Sequence, residues 1–227
     1  MTRPIYLVGG GKGGVGKSLL SMTLVDFLSC TERAPFLVET DTSVPDVYKT
    51  YHAETGGELV NLDEREGWIE LVNLVASHPE SPFVVNTGAR NQTGITNFGK
   101  TLSKALPQLK RKLVVLWLID RKRESLELLS DFLEALPDAE VHVVRNMYLG
   151  IEKKFELYNE SRMRAAIEKN GGRSLNFPEV ADRVTDAMNK GRLTIAKAAG
   201  ELSLGDRMEL ERWREDCKAM LSAVIGG

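Results

Sequence analysis

Eight consecutive residues, Gly11-Lys12-Gly13-Gly14-Val15-Gly16-Lys17-Ser18, carry the spacing GxxxxGK[ST]. Glycines at these positions let the backbone wrap a chain of phosphates with its N–H groups pointing inward, and a following helix presents its positive N-terminal end to the same anion. Lys17 is placed to reach the β- and γ-phosphates. The Ser18 hydroxyl suits Mg²⁺, a hard cation that prefers oxygen donors and shares the phosphate oxygens. Gly11, Gly13, Gly14, Val15, Gly16, Lys17 and Ser18 are therefore the expected nucleotide-binding residues, with Lys17 also catalytic and Ser18 also a metal ligand.

Such a loop works only between a strand and a helix, and the flanking sequence predicts both. Residues 4–8 form a short apolar run and residues 18–30 have helical character. Further strands are predicted over residues 36–40, 83–86, 113–119, 141–144 and 174–177, most of them uniformly apolar as buried strands should be. Helices are predicted over residues 64–77, 96–109, 124–136, 154–170, 179–189 and 205–225. Gly56-Gly57, Pro79 to Pro82, Pro137-Asp138 and Gly171-Gly172 are read as punctuation between these elements. The alternation predicts an α/β fold, a doubly wound, mostly parallel sheet with helices on both faces, in one domain over residues 1–227.

Composition narrows the function classes. The chain is 42% hydrophobic and 27% charged, which is ordinary for a globular protein, and its net charge of −2 gives no overall pull toward nucleic acid or anionic lipid. Cys30 and Cys217 are far apart in sequence and the three histidines are scattered, a pattern that argues against a disulfide framework, a zinc site or an iron–sulfur cluster. The apolar run at the N-terminus is too short for a signal peptide, and no stretch approaches a membrane span, so a cytoplasmic protein is expected.

Lys12 within KGGVGKS resembles the deviant Walker A motif of the ParA/MinD family of P-loop ATPases, which belong to the SIMIBI type. The resemblance implies that Lys12 reaches across a sandwich dimer to the partner's nucleotide and is catalytic in trans. It covers most of the chain thinly. Glu39-Thr40-Asp41 stands where the family usually has two aspartates one residue apart; Asp41 matches the second, which implies a role in orienting the attacking water and facing the metal, and Glu39 keeps the charge of the first on a longer arm. A plain turn at a strand end is the alternative for Asp41.

Phe83-Val84-Val85-Asn86-Thr87-Gly88 looks like the family's Walker B strand and second switch, with Asn86 where an aspartate normally binds Mg²⁺ through water. An amide can still hydrogen-bond that water but lacks the negative charge. The resemblance therefore implies slow hydrolysis, with Glu39 partly replacing the charge; a plain strand-end residue is the alternative for Asn86. Asn146 resembles the asparagine that reads the adenine edge, and Phe177-Pro178 resembles the loop that covers the base. A polar residue opening a loop is the alternative for Asn146.

Among such proteins the chain, short and without an N-terminal DNA-binding extension, looks most similar to plasmid StbB-like stability and conjugation ATPases. That implies ATP and Mg²⁺ as cofactors, a homodimer on ATP binding, ATP hydrolysis to ADP and phosphate, and a small plasmid-encoded DNA-binding adaptor or relaxosome protein as partner. Lys110-Arg111-Lys112 and Arg121-Lys122-Arg123 would form part of a non-specific DNA-contacting patch if their loops meet on one face of the dimer, though solvated helix ends are the commoner reading. The C-terminal stripe of Leu210, Trp213, Cys217, Met220, Leu221 and Val224 is expected to dock on the sheet, because Glu209, Glu211, Glu215 and Asp216 opposite it would be repelled by anionic lipid. A MinD-like membrane-cycling ATPase and a scaffold that binds ATP without cleaving it are the rival readings.

Overall fold

The computed structural model describes residues 3–11, 13–30 and 35–225. In chain order its elements are β1 (Ile5–Gly10), α1 (Lys17–Ser29), β2 (Phe36–Glu39), α2 (Asp46–Thr55), β3 (Gly57–Leu59), α3 (Arg65–Ser77), β4 (Phe83–Asn86), α4 (Gln92–Phe98) and α5 (Lys100–Leu109). They continue as β5 (Leu113–Ile119), α6 (Arg123–Ala135), β6 (Glu140–Asn146), α7 (Glu156–Asn159), α8 (Arg162–Lys169), β7 (Ser174–Phe177), α9 (Asp182–Gly191), α10 (Ile195–Glu201) and α11 (Leu204–Ser222). The seven strands form one sheet in the order β3-β2-β4-β1-β5-β6-β7, and every ladder in it is parallel.

Parallel strands need covering on both faces, and two apolar clusters supply the cover. Leu20, Leu24 and Val25 of α1, Val184 of α9, and Leu210, Trp213 and Leu221 of α11 pack with Tyr6 and Val8 on one face. On the other, Trp68 and Leu71 of α3, Leu102 of α5, Leu129 and Phe132 of α6 and Ile167 of α8 pack with Leu7, Val85 and Trp117. All seven residues of β5 are buried, which explains why its uninterrupted apolar run was readable as a strand.

Several elements depart from the sequence expectations for identifiable reasons. The single helix expected over residues 96–109 begins earlier and divides at Gly99, where an added Cβ would lie 2.5 Å from the Ile95 carbonyl oxygen. The helix expected over residues 154–170 is a 3₁₀ turn (Glu152–Lys154) followed by α7 and α8, because Ser161 adopts an extended backbone and its hydroxyl caps α8 by accepting from the Arg164 amide. The expected elements omitted α2, the edge strand β3 and α10. Gly57 enters β3 rather than ending a loop, since its strand approaches so closely that a Cβ would sit 2.5 Å from the Leu37 carbonyl oxygen. The signal for α10 was Thr194, whose hydroxyl accepts from the Lys197 amide.

The register aligns the functional segments. Val8 and Glu39 both lie opposite Asn86, so the segments after β1, β2 and β4 leave the sheet at the same edge. The segments after β5, β6 and β7 leave it there too, because all strands run the same way. In open α/β sheets this carboxyl edge is where ligands sit.

Candidate functional site

Gly11 to Ser18 connects β1 to α1, as the sequence required. Gly14 and Gly16 have φ of 77° and 105°, values that side chains resist. Gly16 is also the N-cap of α1 and offers no side-chain cap, and this thirteen-residue helix points its positive N-terminal end at the loop. Gly11 is pressed against α6, where a Cβ would come within 2.5 Å of Leu128 Cδ1. Lys17 opens the helix and is 7% exposed. Burial lowers its ammonium to about 8, with the Asp41 carboxylate pulling the other way. Ser18 is exposed. Lys12 lies outside the described residues.

A cavity of about 680 Å³ opens beside this loop. Gly14, Gly16 and Ser18 line it together with Asn146, Phe177 and Pro178, so part of the expected phosphate loop shares one space with the residues expected at the base, while Lys17, Asp41 and Asn86 do not line it. Asn146 ends β6 and is already engaged on both sides: its Nδ2 donates to the Val15 carbonyl at 2.9 Å and its Oδ1 accepts from the Tyr148 amide at 3.1 Å. Each end of the amide keeps one further hydrogen-bonding position. Pro178 is held from behind, because the Trp213 indole N–H donates to its carbonyl at 2.9 Å and the Trp213 ring meets Phe177 edge-on at 5.9 Å.

Behind the phosphate loop, β2 and β4 bring two unusual groups together. Asn86 Nδ2 donates to both carboxylate oxygens of Glu39, at 2.9 and 3.0 Å, and the Ser21 hydroxyl of α1 donates to Asn86 Oδ1 at 2.8 Å. Glu39 is wholly buried, and that burial pushes its carboxyl up to about 7, against the hydrogen bonds from the Asp41 amide and Asn86. Asp41 behaves differently. Burial works against its ionisation, but hydrogen bonds from the Ser43 hydroxyl at 2.6 Å and the Val44 amide at 3.1 Å, with the Arg90 charge, outweigh it and hold the carboxyl below its usual range.

Glu39 gives a measurable pH dependence. Its native value of about 7 lies above the usual 4.5, so between these limits the folded chain holds a proton that the unfolded chain has lost. Stability is therefore greatest at the acid end of that window and falls as pH rises through it, by on the order of 3 kcal/mol. Urea unfolding of the nucleotide-free protein at about pH 5 and about pH 7.5 is expected to show this loss. Glu39→Gln is expected to flatten it, and an equal slope in that variant would assign the dependence elsewhere.

Comparison with known proteins places the chain. No family model matches it. Protein MobD of Acidithiobacillus ferrooxidans is 53% identical over 225 residues, covering 99% of each chain. The chain belongs to the MobD family. Its fold is shared with solved MinD and plasmid partition proteins: the MinD cell division protein of Aquifex aeolicus aligns with a TM-score of 0.57 at 15% identity over 97% of both chains. A protein of Borrelia burgdorferi B31 assigned to plasmid partition, bound to AMPPNP, aligns at 0.61 with 14% identity, over 98% of this chain and 100% of its own.

Two surface features of this MobD-family chain bear on partners. The basic runs do not meet: residues 110–112 precede β5 and residues 121–123 follow it, which puts them at opposite ends of a seven-residue strand, about 20 Å apart. Arg111 is moreover a buried brace, donating to the carbonyl oxygens of Arg3, Ser81 and His78 and lying over the Phe83 ring. Within one chain the two runs therefore form no shared patch. Arg121 and Lys122 alone border the phosphate loop, beside Gly13 and Gly14. The C-terminal stripe is docked, with Leu210, Trp213, Cys217 and Leu221 buried against α1, α9, α10 and β7. Among the described residues no helix is long and apolar enough to cross a membrane.

Sequence reasoning missed four polar residues of this edge: Ser21, Thr40, Asp63 and Asn91. The last three form a network. The Gly88 amide donates to Asn91 Oδ1 at 2.6 Å and to the Thr40 hydroxyl at 3.0 Å, and Asn91 Nδ2 donates to Asp63 at 3.0 Å. No local pattern marks these residues, since they meet only through the sheet.

Proposed function

We propose that this chain is an ATP-binding switch that dimerises on its nucleotide, hydrolyses it slowly to ADP and phosphate, and acts in plasmid partition or stability, DNA positioning or conjugation. The observation that carries this is the continuous cavity running from the glycine loop and the uncapped start of α1 to Asn146 and Pro178. Fold likeness to MinD- and ParA-type ATPases and the MobD relationship support the same reading.

In this reading Gly11, Gly13, Gly14, Val15, Gly16 and Lys17 hold the triphosphate, and Asn146 and Pro178 frame the base. Ser18 holds Mg²⁺ directly, while Asp41 and Asn86 face it, the latter through water. Magnesium would supply charge neutralisation on the phosphates. Glu39, in contact with the Asn86 amide, partly replaces the negative charge that the amide lacks, once it gives up the proton that burial holds to about pH 7. Asp41, ionised and next to Lys17 in electrostatic reach, accepts from and orients the attacking water. Lys12 completes the partner's site from the neighbouring subunit. A small DNA-binding adaptor or relaxosome protein is the expected partner, and the chain works in the cytoplasm.

Light scattering in ADP and in AMPPNP tests the switch. A monomer that pairs only in AMPPNP, and no longer pairs after Lys12→Ala, is expected; constant mass in every sample would end this reading. Asn86 favours a second reading, a scaffold that binds ATP and never cleaves it. Phosphate release staying at background with every candidate partner would select that one.

A further inference from the structure

The groups after β2 and β4 that could meet a terminal phosphate are tied to one another, and one side chain ties them. Asn91 is 2% exposed and directly precedes α4. Its Oδ1 takes the Gly88 amide and the Thr40 hydroxyl, and its Nδ2 reaches the Asp63 carboxylate at 3.0 Å. Two donors on one end and an acceptor on the other fix the orientation of the amide. The Thr40 hydroxyl has a single proton, which it divides between Asn91 and the Asn86 carbonyl.

The anchor beneath this knot is rigid. Gly94 of α4 lies so close to Leu62 that an added Cβ would fall 1.8 Å from its carbonyl oxygen, and that same oxygen accepts from the Trp68 indole N–H at 2.9 Å. Asp63 is next in the chain, so its backbone follows directly from this close seat between α3 and α4. Gly88 in turn stands directly against Asp41, with a built Cβ 3.3 Å from the Asp41 Cβ, and Asp41 is the carboxylate whose charge Lys17 feels. The Gly88 amide thus lies at the phosphate end of the site, yet its proton is committed to Asn91 and Thr40.

Resting on the nucleotide-binding reading above, we propose that Asn91 is a positioning residue that latches the Gly88 amide and the Thr40 hydroxyl away from the terminal phosphate of a nucleoside triphosphate. A triphosphate gains those two donors only by breaking the latch, and a diphosphate, which ends one phosphate sooner, has no use for them. Discrimination between the two is therefore held down by a competition inside the protein. Asp63 and the close seat of α4 set how firmly Asn91 holds.

Calorimetry with Mg²⁺ and either ADP or AMPPNP tests this on wild type, Asn91→Ala and Asp63→Ala, which loosen the latch and keep both donors. Releasing one net hydrogen bond is expected to raise the ratio of AMPPNP to ADP affinity about fivefold in each variant. A merely structural loss would weaken both nucleotides alike and leave the ratio where it was. An unchanged or lowered ratio in a variant that still binds ADP would overturn the latch. Asp63 is exposed, so Asp63→Ala carries the test even where Asn91→Ala fails to fold. Wild-type protein that binds neither nucleotide would remove the reading of the site and the latch with it. Wild type that binds both, with a ratio unmoved by either substitution, would remove the latch alone.

Discussion

Lys17→Met is expected to weaken triphosphate binding by about a hundredfold or more while the protein stays folded. Lys17 is almost fully buried at the start of α1, where its charge is costly and burial has lowered the ammonium to about 8. Phosphate oxygens would repay that cost, and charge-assisted hydrogen bonds to them contribute roughly 1.5–3 kcal/mol each. Methionine fills the same length without the charge. The position also gives the reaction a proton signature. Nucleotide binding raises the ammonium from about 8, so above that value binding takes up a proton and affinity falls as pH increases. Titration calorimetry in buffers of different ionisation enthalpy reads the uptake directly. Unaltered affinity in Lys17→Met would mean that the loop holds something other than a nucleotide.

The second large effect is expected at Asn86, where restoring an aspartate should harm the nucleotide-free protein. Asn86 now donates to both oxygens of a fully buried Glu39. Asn86→Asp replaces those donors with oxygens, so two carboxylates face each other on neighbouring strands in register. The pair would share a proton, and the loss of stability should be about 3 kcal/mol near neutral pH and smaller in acid. Glu39→Gln in the same molecule is expected to recover most of it, because a glutamine can donate to the new aspartate. Urea unfolding of both variants measures this. An Asn86→Asp protein as stable as its parent at alkaline pH would show that Glu39 and residue 86 are not electrostatically coupled.

The glycine loop was legible because its information is local: eight adjacent residues fix both the backbone shape and the helix that follows. The strands were legible for a similar reason, since burial on both faces leaves an unbroken apolar run such as that of β5. Elements that depend on distant partners were harder. The edge strand β3 has three residues, two of them exposed, and it exists only because Leu37 and Val38 offer a ladder. Arg111 looks like a solvated cation in sequence, yet in the fold three carbonyl oxygens from two segments converge on it. Asn91 and Asp63 lie 28 residues apart and Asn86 and Glu39 lie 47 apart, so neither contact could be read from spacing. The departure at Asn86 was visible; that its amide rests on Glu39 was not.

No residue of the C-terminal helix α11 lines the cavity, yet the cavity's back wall hangs from it. Trp213 grips the carbonyl of Pro178, and one residue later Arg214 grips Asp26 of α1 through two bonds at 3.0 and 3.1 Å. The last helix is therefore a strut between the roof over the base and the shaft that carries the phosphate loop. Whatever lifts it, whether truncation, a bulky fusion or a partner that competes for its apolar stripe, would slacken both ends of the nucleotide's berth at once.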